Sequence, residues 1–212
     1  MIKIKKINIT ENMDFDSIQG TKDWYIARNQ TYDAYGALEY IKNGKDYYGD
    51  EFFLIHYPDG KIYNPFEKEK NACITNPITN NEIFYFLKTD LIKKVSYIYE
   101  YNPIKEDLNL MNEINIGKDN ECYNLSLKGM PLTVLQDGEE CLQILWPENK
   151  KIYTESNEIF LFRDHDNLYF ERWYDNMSQN EDTIIRDIKT GEVIKNIKGK
   201  LIIMSNNDIW QI

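Results

Sequence analysis

Alanine, histidine and cysteine are scarce in this sequence, and long apolar runs are missing. Only four alanines occur among 212 residues, at positions 27, 34, 37 and 72. Because alanine has the highest helix propensity of all residues, its scarcity argues against a helical or α/β protein. No apolar run reaches the roughly 18 residues that a membrane-spanning helix needs. We therefore expect no membrane partner.

The common catalytic and nucleotide-binding motifs are also missing. The sequence contains no G-x-S-x-G elbow, no P-loop and no glycine-rich dinucleotide fingerprint. A nucleophile and base pair would have to use one of only two histidines, His56 and His165. Neither stands in a recognisable catalytic pattern. The sequence thus favours a binding protein over an enzyme, and we predict no catalytic residue, no cofactor and no metal site.

Three cysteines occur, Cys73, Cys122 and Cys141. An odd number of widely spaced cysteines indicates neither a disulfide framework nor a zinc site. Unpaired thiols are typical of a reducing compartment, and the N-terminal segment lacks the apolar core of a signal peptide. We therefore expect a cytoplasmic protein. Its abundant lysine, asparagine and isoleucine favour a bacterial source.

The net charge is −10 and the isoelectric point about 4.8. Nucleic-acid binding draws most of its affinity from lysine and arginine contacts to phosphates, so we expect no nucleic-acid partner. An acidic surface steers a protein toward a basic partner. One such function is that of an immunity-type inhibitor of a basic bacterial toxin.

The sequence instead has the composition and the alternation of β-strands. It contains 16 tyrosines among its 212 residues, and aromatic and branched side chains pack well on a pleated surface. Apolar residues alternate in "IKIKKINI", "KKVSYIYEY", "LYFERWYD" and "TIIRDIKTGEVIKNIKG". The "YPDGKIY" segment has the Asp-Gly pair of a hairpin turn. These patterns predict an all-β protein.

One short helix is predicted near residues 32–43. The segment "QTYDAYGALEYIKNG" spaces its apolar residues three apart along one helix face. Thr31 can cap its start by accepting a backbone hydrogen bond. Gly44 can end it in the left-handed conformation.

Similar hexads recur along the chain and suggest a repeated unit. They begin at residue 50 with "DEFFLI", at 81 with "NEIFYF", at 120 with "NECYNL", at 157 with "NEIFLF" and, more loosely, at 199 with "GKLIIM". The intervals between these starts are 31, 39, 37 and 42 residues. A period near 40 with several strands in each unit is typical of a β-propeller.

On these hexads the chain resembles β-propeller repeat proteins at the level of architecture, over residues 50–212. The WD40 and kelch motifs are missing, so no named family and no site residues follow. The resemblance implies about five blades, closed by pairing of the two chain ends. Four blades with an N-terminal extension, a β-sandwich and another β-meander are the alternatives. Residues 1–212 would form one domain, in which residues 1–49 provide closing strands and the helix, and residues 50–212 the repeated units.

Acidic and aromatic residues concentrate between residues 155 and 187. The most prominent segment, "FRDHDNLYFERWYDN", contains the residues that we predict to contact a ligand or a partner. They are Asp164, Asp166, Glu171, Trp173 and Asp175.

Three interpretations of this segment remain open. Asp164 and Asp166 either form a turn or supply two oxygen ligands to calcium, although the rest of a calcium loop is missing. Exposed tryptophan faces would favour a carbohydrate ligand. A glycosidase needs two facing carboxylates, and no spacing in the sequence identifies such a pair.

Overall fold

The structure is a computed structural model of the chain. It describes residues 4–9, 13–29, 33–117, 121–129, 131–174, 181–204 and 208–212. The chain divides into two compact units, Met1–Tyr123 (unit 1) and Asn124–Ile212 (unit 2).

The described part of unit 1 contains one helix and nine strands. They are β1 (Asp14–Ser17), β2 (Trp24–Asn29), α1 (Ala34–Lys42), β3 (Glu51–His56), β4 (Ile62–Tyr63), β5 (Ala72–Ile74), β6 (Ile78–Asn80), β7 (Ile83–Asp90), β8 (Val95–Asn102) and β9 (Asp107–Asn115). Strands β1 to β4 pair in chain order as sheet A. Strands β5, β7, β8 and β9 pair in that order as sheet B, in which β6 also pairs with β7.

The described part of unit 2 contains strands only. They are β10 (Leu125–Lys128), β11 (Thr133–Asp137), β12 (Cys141–Trp146), β13 (Lys150–Tyr153), β14 (Glu158–Asp164), β15 (Asn167–Trp173), β16 (Glu181–Asp187), β17 (Val193–Lys198), β18 (Leu201–Ile203) and β19 (Ile209–Gln211). Strands β10 to β13 form sheet C, β14 to β17 form sheet D, and β18 and β19 form sheet E. All strand pairs are antiparallel.

The prediction of an all-β protein is confirmed, and the predicted hairpin at Asp59-Gly60 joins β3 to β4. Gly60 has a φ of 68°, and the backbone N–H of Lys61 donates to Asp59 Oδ1 at 3.0 Å. The predicted helix is also present, but it begins later than expected. Asp33 caps α1 by accepting a hydrogen bond from the Gly36 N–H at 2.7 Å. Thr31, the predicted cap, lies outside the described residues.

Aromatic side chains from sheets A and B form the core of unit 1. Trp24, Phe52, Phe84 and Phe86 are all buried, and Phe52 lies 5.3 Å from Phe86 between ring centroids. Such rings contribute about 1.5–3 kcal/mol each on burial. This core holds the two sheets of unit 1 together.

Aliphatic and aromatic side chains from sheets C and D form the core of unit 2. Leu142 and Ile144 of β12 pack with Phe170 of β15 and Ile184 of β16. Leu142 and Ile144 on β12, and Leu168 and Phe170 on β15, are two residues apart, as the alternation of a pleated strand requires.

A buried ionic network borders this second core. The side chain of Glu158 has no exposed area and accepts hydrogen bonds from two arginines. Arg186 donates to both of its carboxylate oxygens, at 3.0 and 3.1 Å, and Arg172 Nε donates at 3.2 Å. Burial raises the pKa of Glu158, but the bonds from Arg186 and Arg172 outweigh that effect and hold the pKa below its ordinary value. Glu158 therefore ties β14 to β15 and β16 as a carboxylate.

The propeller prediction is wrong, because the hexads occupy unlike places in the sheets. Residues 50–55 lead into β3, the third strand of sheet A, and residues 81–86 lead into β7, an interior strand of sheet B. Residues 157–162 lead into β14 at the edge of sheet D. Between residues 121 and 124 there is no strand at all. At residues 81 and 157 the hexad is a turn followed by an apolar strand, and that local pattern occurs both inside a sheet and at its edge.

Closure of a ring by the chain ends is likewise not found. Residues 4–9, within the predicted strand "IKIKKINI", form no strand. At the other end, β18 and β19 pair with each other as a separate sheet. The described residues therefore form five separate antiparallel sheets, none of them closed. The single-domain arrangement of residues 1–212, with its division into 1–49 and 50–212, stays a prediction.

A membrane-spanning helix is not found in the described residues, where the helix α1 has nine residues.

Replacing Glu158 by glutamine should lower the free energy of unfolding by about 3 kcal/mol, because the buried guanidinium group of Arg186 and the partly buried one of Arg172 lose their counter-charge. Urea denaturation followed by tryptophan fluorescence would measure the loss. A carboxyl whose pKa is lowered by folding stabilises the fold above its ordinary pKa, and that contribution disappears as the pH falls through the lowered value. The difference between the wild-type protein and Glu158→Gln should therefore shrink in acid.

Glu155→Gln is the matched control, because Glu155 is exposed and its backbone N–H still donates to Glu158. This variant should stay within about 0.5 kcal/mol of the wild-type protein. Equal losses in both variants would show that the network does not stabilise unit 2.

Candidate functional site

Two hairpin turns of sheet D bring carboxylates together at one end of the sheet. Asp164 ends β14, and Asp166 lies in the turn that leads into β15. Asp187 ends β16 and is the register partner of Asn167, next to that turn. The Ile188 N–H donates to the carbonyl of Asp166 at 2.8 Å, which joins the two turns directly. We call the carboxylates of Asp164, Asp166, Asp187 and Glu192 the acidic end.

Glu192 belongs to this group through the backbone of the β16–β17 turn. The N–H of Asp187 donates to the carbonyl of Glu192 at 3.0 Å, so the two residues face each other across the turn. Asp187 Oδ1 also accepts from the N–H groups of Thr190 at 2.8 Å and Lys189 at 3.0 Å. These backbone bonds, that of Thr190 first, lower the pKa of Asp187. Asp187 is therefore ionised over the physiological range.

Cations neutralise the acidic end only in part. Lys189 forms an ion pair with Asp166, and the Lys150 ammonium contacts the carbonyl of Lys189. Asp164 Oδ1 lies 2.6 Å from Nδ1 of His165, whose side chain is almost fully exposed. Among the described residues, Arg163 and Arg186 also donate to turn carbonyls, those of His165 and Gly191, but they form ion pairs with Glu148 and Glu158. With those pairs set aside, four carboxylates against two lysines leave a local charge of −2 when His165 is neutral. Exposed ion pairs are worth only about 0–1 kcal/mol, so a basic partner can displace them.

The other predicted contact residues lie at the far end of β15. Trp173 is 44% exposed, and it follows Asp166 by seven residues, about 20 Å along an extended strand. Glu171 is nearly buried, and Lys200 Nζ contacts its carboxylate at 3.0 Å and that of Glu181 at 3.3 Å. Asp175 lies outside the described residues. The structure thus brings Asp164 and Asp166 together and separates them from Glu171 and Trp173.

Sequence reasoning missed Asp187 and Glu192, although a signal for them was present. The hairpin turns around residues 164–167 and 187–192, which contain short polar residues and, in the second, Gly191, join consecutive antiparallel strands of sheet D. In an up-and-down sheet, the first and third turns lie at the same end. Counting turns would have placed Asp187 beside Asp164 and Asp166. It would also have placed Trp173, near the second turn, at the opposite end.

The carboxylates of the acidic end do not converge on one point. Asp164 faces His165, and Asp166 faces Lys189. In the part of the chain that the structure describes, no group of three or more His, Cys, Asp or Glu side chains is placed to hold a metal ion. The hydrogen bonds of these carboxylates are ones that polar residues commonly form within turns.

A second polar cluster, also missed from the sequence, lies at the border of the unit 1 core. The Tyr47 hydroxyl donates to Asp50 Oδ1, and the Ile74 N–H donates to Asp50 Oδ2 at 3.1 Å. The Cys73 thiol lies 3.7 Å from the Tyr47 oxygen. These contacts fasten the segment before β3 to strand β5. Asp50 lines a small cleft with Arg28 and Asn76, and Arg28 Nη1 donates to Asn76 Oδ1 at 2.7 Å.

Burial controls the protonation of this second cluster. It raises the pKa of the Asp50 carboxyl, which the bonds from Tyr47 and Ile74 oppose. It also raises the pKa of Cys73 to about 12 and that of Tyr47 above its ordinary value. The thiol of Cys73 and the phenol of Tyr47 are therefore neutral at physiological pH, and Cys73 is a poor nucleophile.

The cleft beside Asp50 is too small for an organic ligand. Its volume is about 10 Å³, close to what a single ordered water molecule needs. Small-molecule sites are larger by more than an order of magnitude, at about 300–1,000 Å³. This cluster therefore positions the chain rather than binding a ligand. The sequence feature that could have revealed this cluster is Arg28. This arginine continues the series of inward positions on β2 that begins with Trp24 and Ile26.

Comparison with known proteins identifies no family. No family model matches the chain, and no curated protein matches it. Among solved structures, a chain of the "Crystal structure of Nidogen/Laminin Complex" is similar at a TM-score of 0.37 and 13% sequence identity. The match covers 69% of this chain and spans only 55% of that chain's length. At this TM-score the similarity supports no inference about fold or function, and the resemblance to propeller proteins is not confirmed.

Replacing Tyr47 by phenylalanine should lower the free energy of unfolding by about 1–3 kcal/mol, because the buried Asp50 carboxyl loses a donor. A carboxyl whose pKa is raised by folding stabilises the fold at low pH and less as the pH rises above its ordinary value. Since the lost donor favoured the ionised form, the defect of Tyr47→Phe should grow with pH. Chemical denaturation at several pH values would measure this.

Tyr48→Phe is the control, because the neighbouring Tyr48 is exposed. It should leave stability unchanged at every pH. A Tyr47→Phe defect that is independent of pH would contradict the assignment of Asp50 as the linked group.

Proposed function

We propose that this protein is a non-enzymatic binding domain that captures a basic protein partner through the acidic end of sheet D. The single observation that carries the proposal is the meeting of two turns, which gathers Asp164, Asp166, Asp187 and Glu192 on one exposed surface. The side chains of Asp164 and Asp166 are more than half exposed. A partner can therefore reach them without any rearrangement of the sheet.

The charge of the whole chain supports the same partner class. A net charge of −10 attracts basic proteins over distances of about the Debye length, roughly 8–10 Å at physiological salt. The local carboxylates would then fix the position of the bound partner. Inhibition of a basic toxin would use the same chemistry, with an active-site cleft of the toxin as the surface that is covered.

We also propose that the protein is located in the cytoplasm. Cys73, Cys122 and Cys141 are all free thiols, and the first two are buried. Free thiols persist in reducing compartments, and this supports a cytoplasmic location.

The double variant Asp164→Lys with Asp166→Lys tests the acidic end. We expect its affinity for cytochrome c, used as a small basic probe, to fall at least about tenfold, equivalent to about 1.4 kcal/mol. The reason is that two attractive charges become repulsive. Calorimetric titration at two salt concentrations would measure the affinity and its dependence on ionic strength.

A charge-matched control separates the acidic end from the general charge. Asp14→Lys with Asp23→Lys changes two exposed acids of unit 1 that lie outside β9. Each double variant removes two negative charges and adds two positive ones, which takes the net charge from −10 to −6. Equal losses of affinity in the two variants would mean that only the overall charge matters, and the acidic end would be rejected as the contact surface.

Two exposed tryptophans favour a second candidate, a carbohydrate ligand. Trp210 is 58% exposed and Trp173 44% exposed, whereas Trp24 is buried. Tryptophan faces are the usual platforms on which sugar rings stack. A ligand stacked on either ring should change the intrinsic fluorescence, and Trp210→Ala or Trp173→Ala should abolish that change.

A panel of oligosaccharides titrated against the wild-type protein would measure this response. Trp146→Phe serves as the control, because Trp146 is less exposed than Trp173 and Trp210. A response that survives loss of both exposed tryptophans would reject the carbohydrate candidate.

A further inference from the structure

Strand β9 is a long edge strand with one free side. It is the last strand of sheet B and runs for nine residues, Asp107–Asn115. It pairs with β8 along one side, and no described strand pairs with the other. A free strand edge presents unpaired backbone N–H and C=O groups, which an extended segment of another chain can pair with.

The edge of β9 lacks the lysines that commonly block such pairing. The last strands of sheets C and D carry lysines, Lys150 and Lys151 on β13 and Lys195 and Lys198 on β17. Lysine side chains discourage a second strand from joining an edge. The sequence of β9, "DLNLMNEIN", contains no lysine, arginine or proline.

The exposed side chains of β9 define the chemistry of a segment that would pair with it. Asp107 and Glu113 are exposed, one in each half of the strand. Leu110 and Met111, 54% and 46% exposed, lie side by side between them. A paired segment would therefore need basic side chains for the two acids and apolar side chains for the central contact.

A bulge divides this edge into two halves. The register with β8 passes from Tyr99 opposite Leu110 to Ile98 opposite Asn112, so Met111 is the extra residue. A bulge interrupts the ladder and bends the strand. A partner would thus pair with one half of β9, on either side of Met111.

We propose that β9 binds an extended, basic segment of another protein as an added strand of sheet B. Backbone hydrogen bonds would supply the pairing, Asp107 or Glu113 would select lysine or arginine, and Leu110 with Met111 would contact an apolar side chain. A second copy of this chain is a poorer occupant, because two copies with a net charge of −10 each repel one another. The residues of this interface belong to unit 1, whereas those of the acidic end belong to unit 2.

The test uses a short peptide of alternating lysine and valine as the probe, titrated into the wild-type protein. Hydrogen exchange should show slower exchange of the β9 amides in the presence of the peptide. The same peptide N-methylated on alternate residues keeps its charge and side chains but loses backbone donors, and it should bind at least about tenfold more weakly. A glutamate–valine peptide should not bind.

Variants then separate this interface from the acidic end. Asp107→Lys with Glu113→Lys should weaken peptide binding at least about tenfold. In Asp164→Lys with Asp166→Lys, the peptide should still slow the exchange of the β9 amides, although the acidic end no longer attracts its lysines. Equal binding of the N-methylated or the glutamate peptide, or unchanged exchange of the β9 amides, would overturn the proposal. Because these peptide comparisons use the unmodified protein, they remain decisive even if a variant fails to fold.

Discussion

The up-and-down order of the strands is the constraint on which the candidate site depends. Consecutive antiparallel strands place successive turns at alternate ends of a sheet. In sheet D this order brings the turn at Asp166 next to the turn at Asp187 and sends Trp173 to the opposite end. The acidic end is therefore a product of strand order, and residues close in sequence, such as Asp166 and Trp173, lie on different parts of the surface of unit 2.

Burial decides which of the many acidic residues expose their charge at the surface. Glu158 forms ion pairs with Arg172 and Arg186, which neutralise its charge inside unit 2. Asp50 is buried beside Tyr47, with its pKa raised. Glu171 is held by Lys200. The sequence charge of −10 consequently overstates the charge of any one surface, and the exposed carboxylates of two turns and of β9 matter more than the total.

Much of the local structure was predictable from the sequence. Alternating segments such as "KKVSYIYEY" became strands, the Asp59-Gly60 pair became a hairpin, and the helix near residues 32–43 became α1. The repeat was not predictable in the same way. Its hexads describe a turn entering an apolar strand, and such a segment has the same pattern at the edge of a sheet, as in β14, and inside one, as in β7. The propeller prediction was wrong because the position of a strand in a sheet depends on its pairing with distant segments, which the hexad does not specify.

For the candidate site, the sequence by itself determined the residue types and the turns: carboxylates at Asp164, Asp166 and Asp187, each at the end of a strand. It did so because turn geometry and side-chain alternation depend on neighbours a few residues away. Tertiary structure alone decided which turns meet, which acids Arg172, Arg186 and Lys200 neutralise, and that β9 lies at an edge where no described strand pairs with its other side. Those outcomes follow from contacts between residues far apart in the chain, whose free energies arise only when the sheets pack.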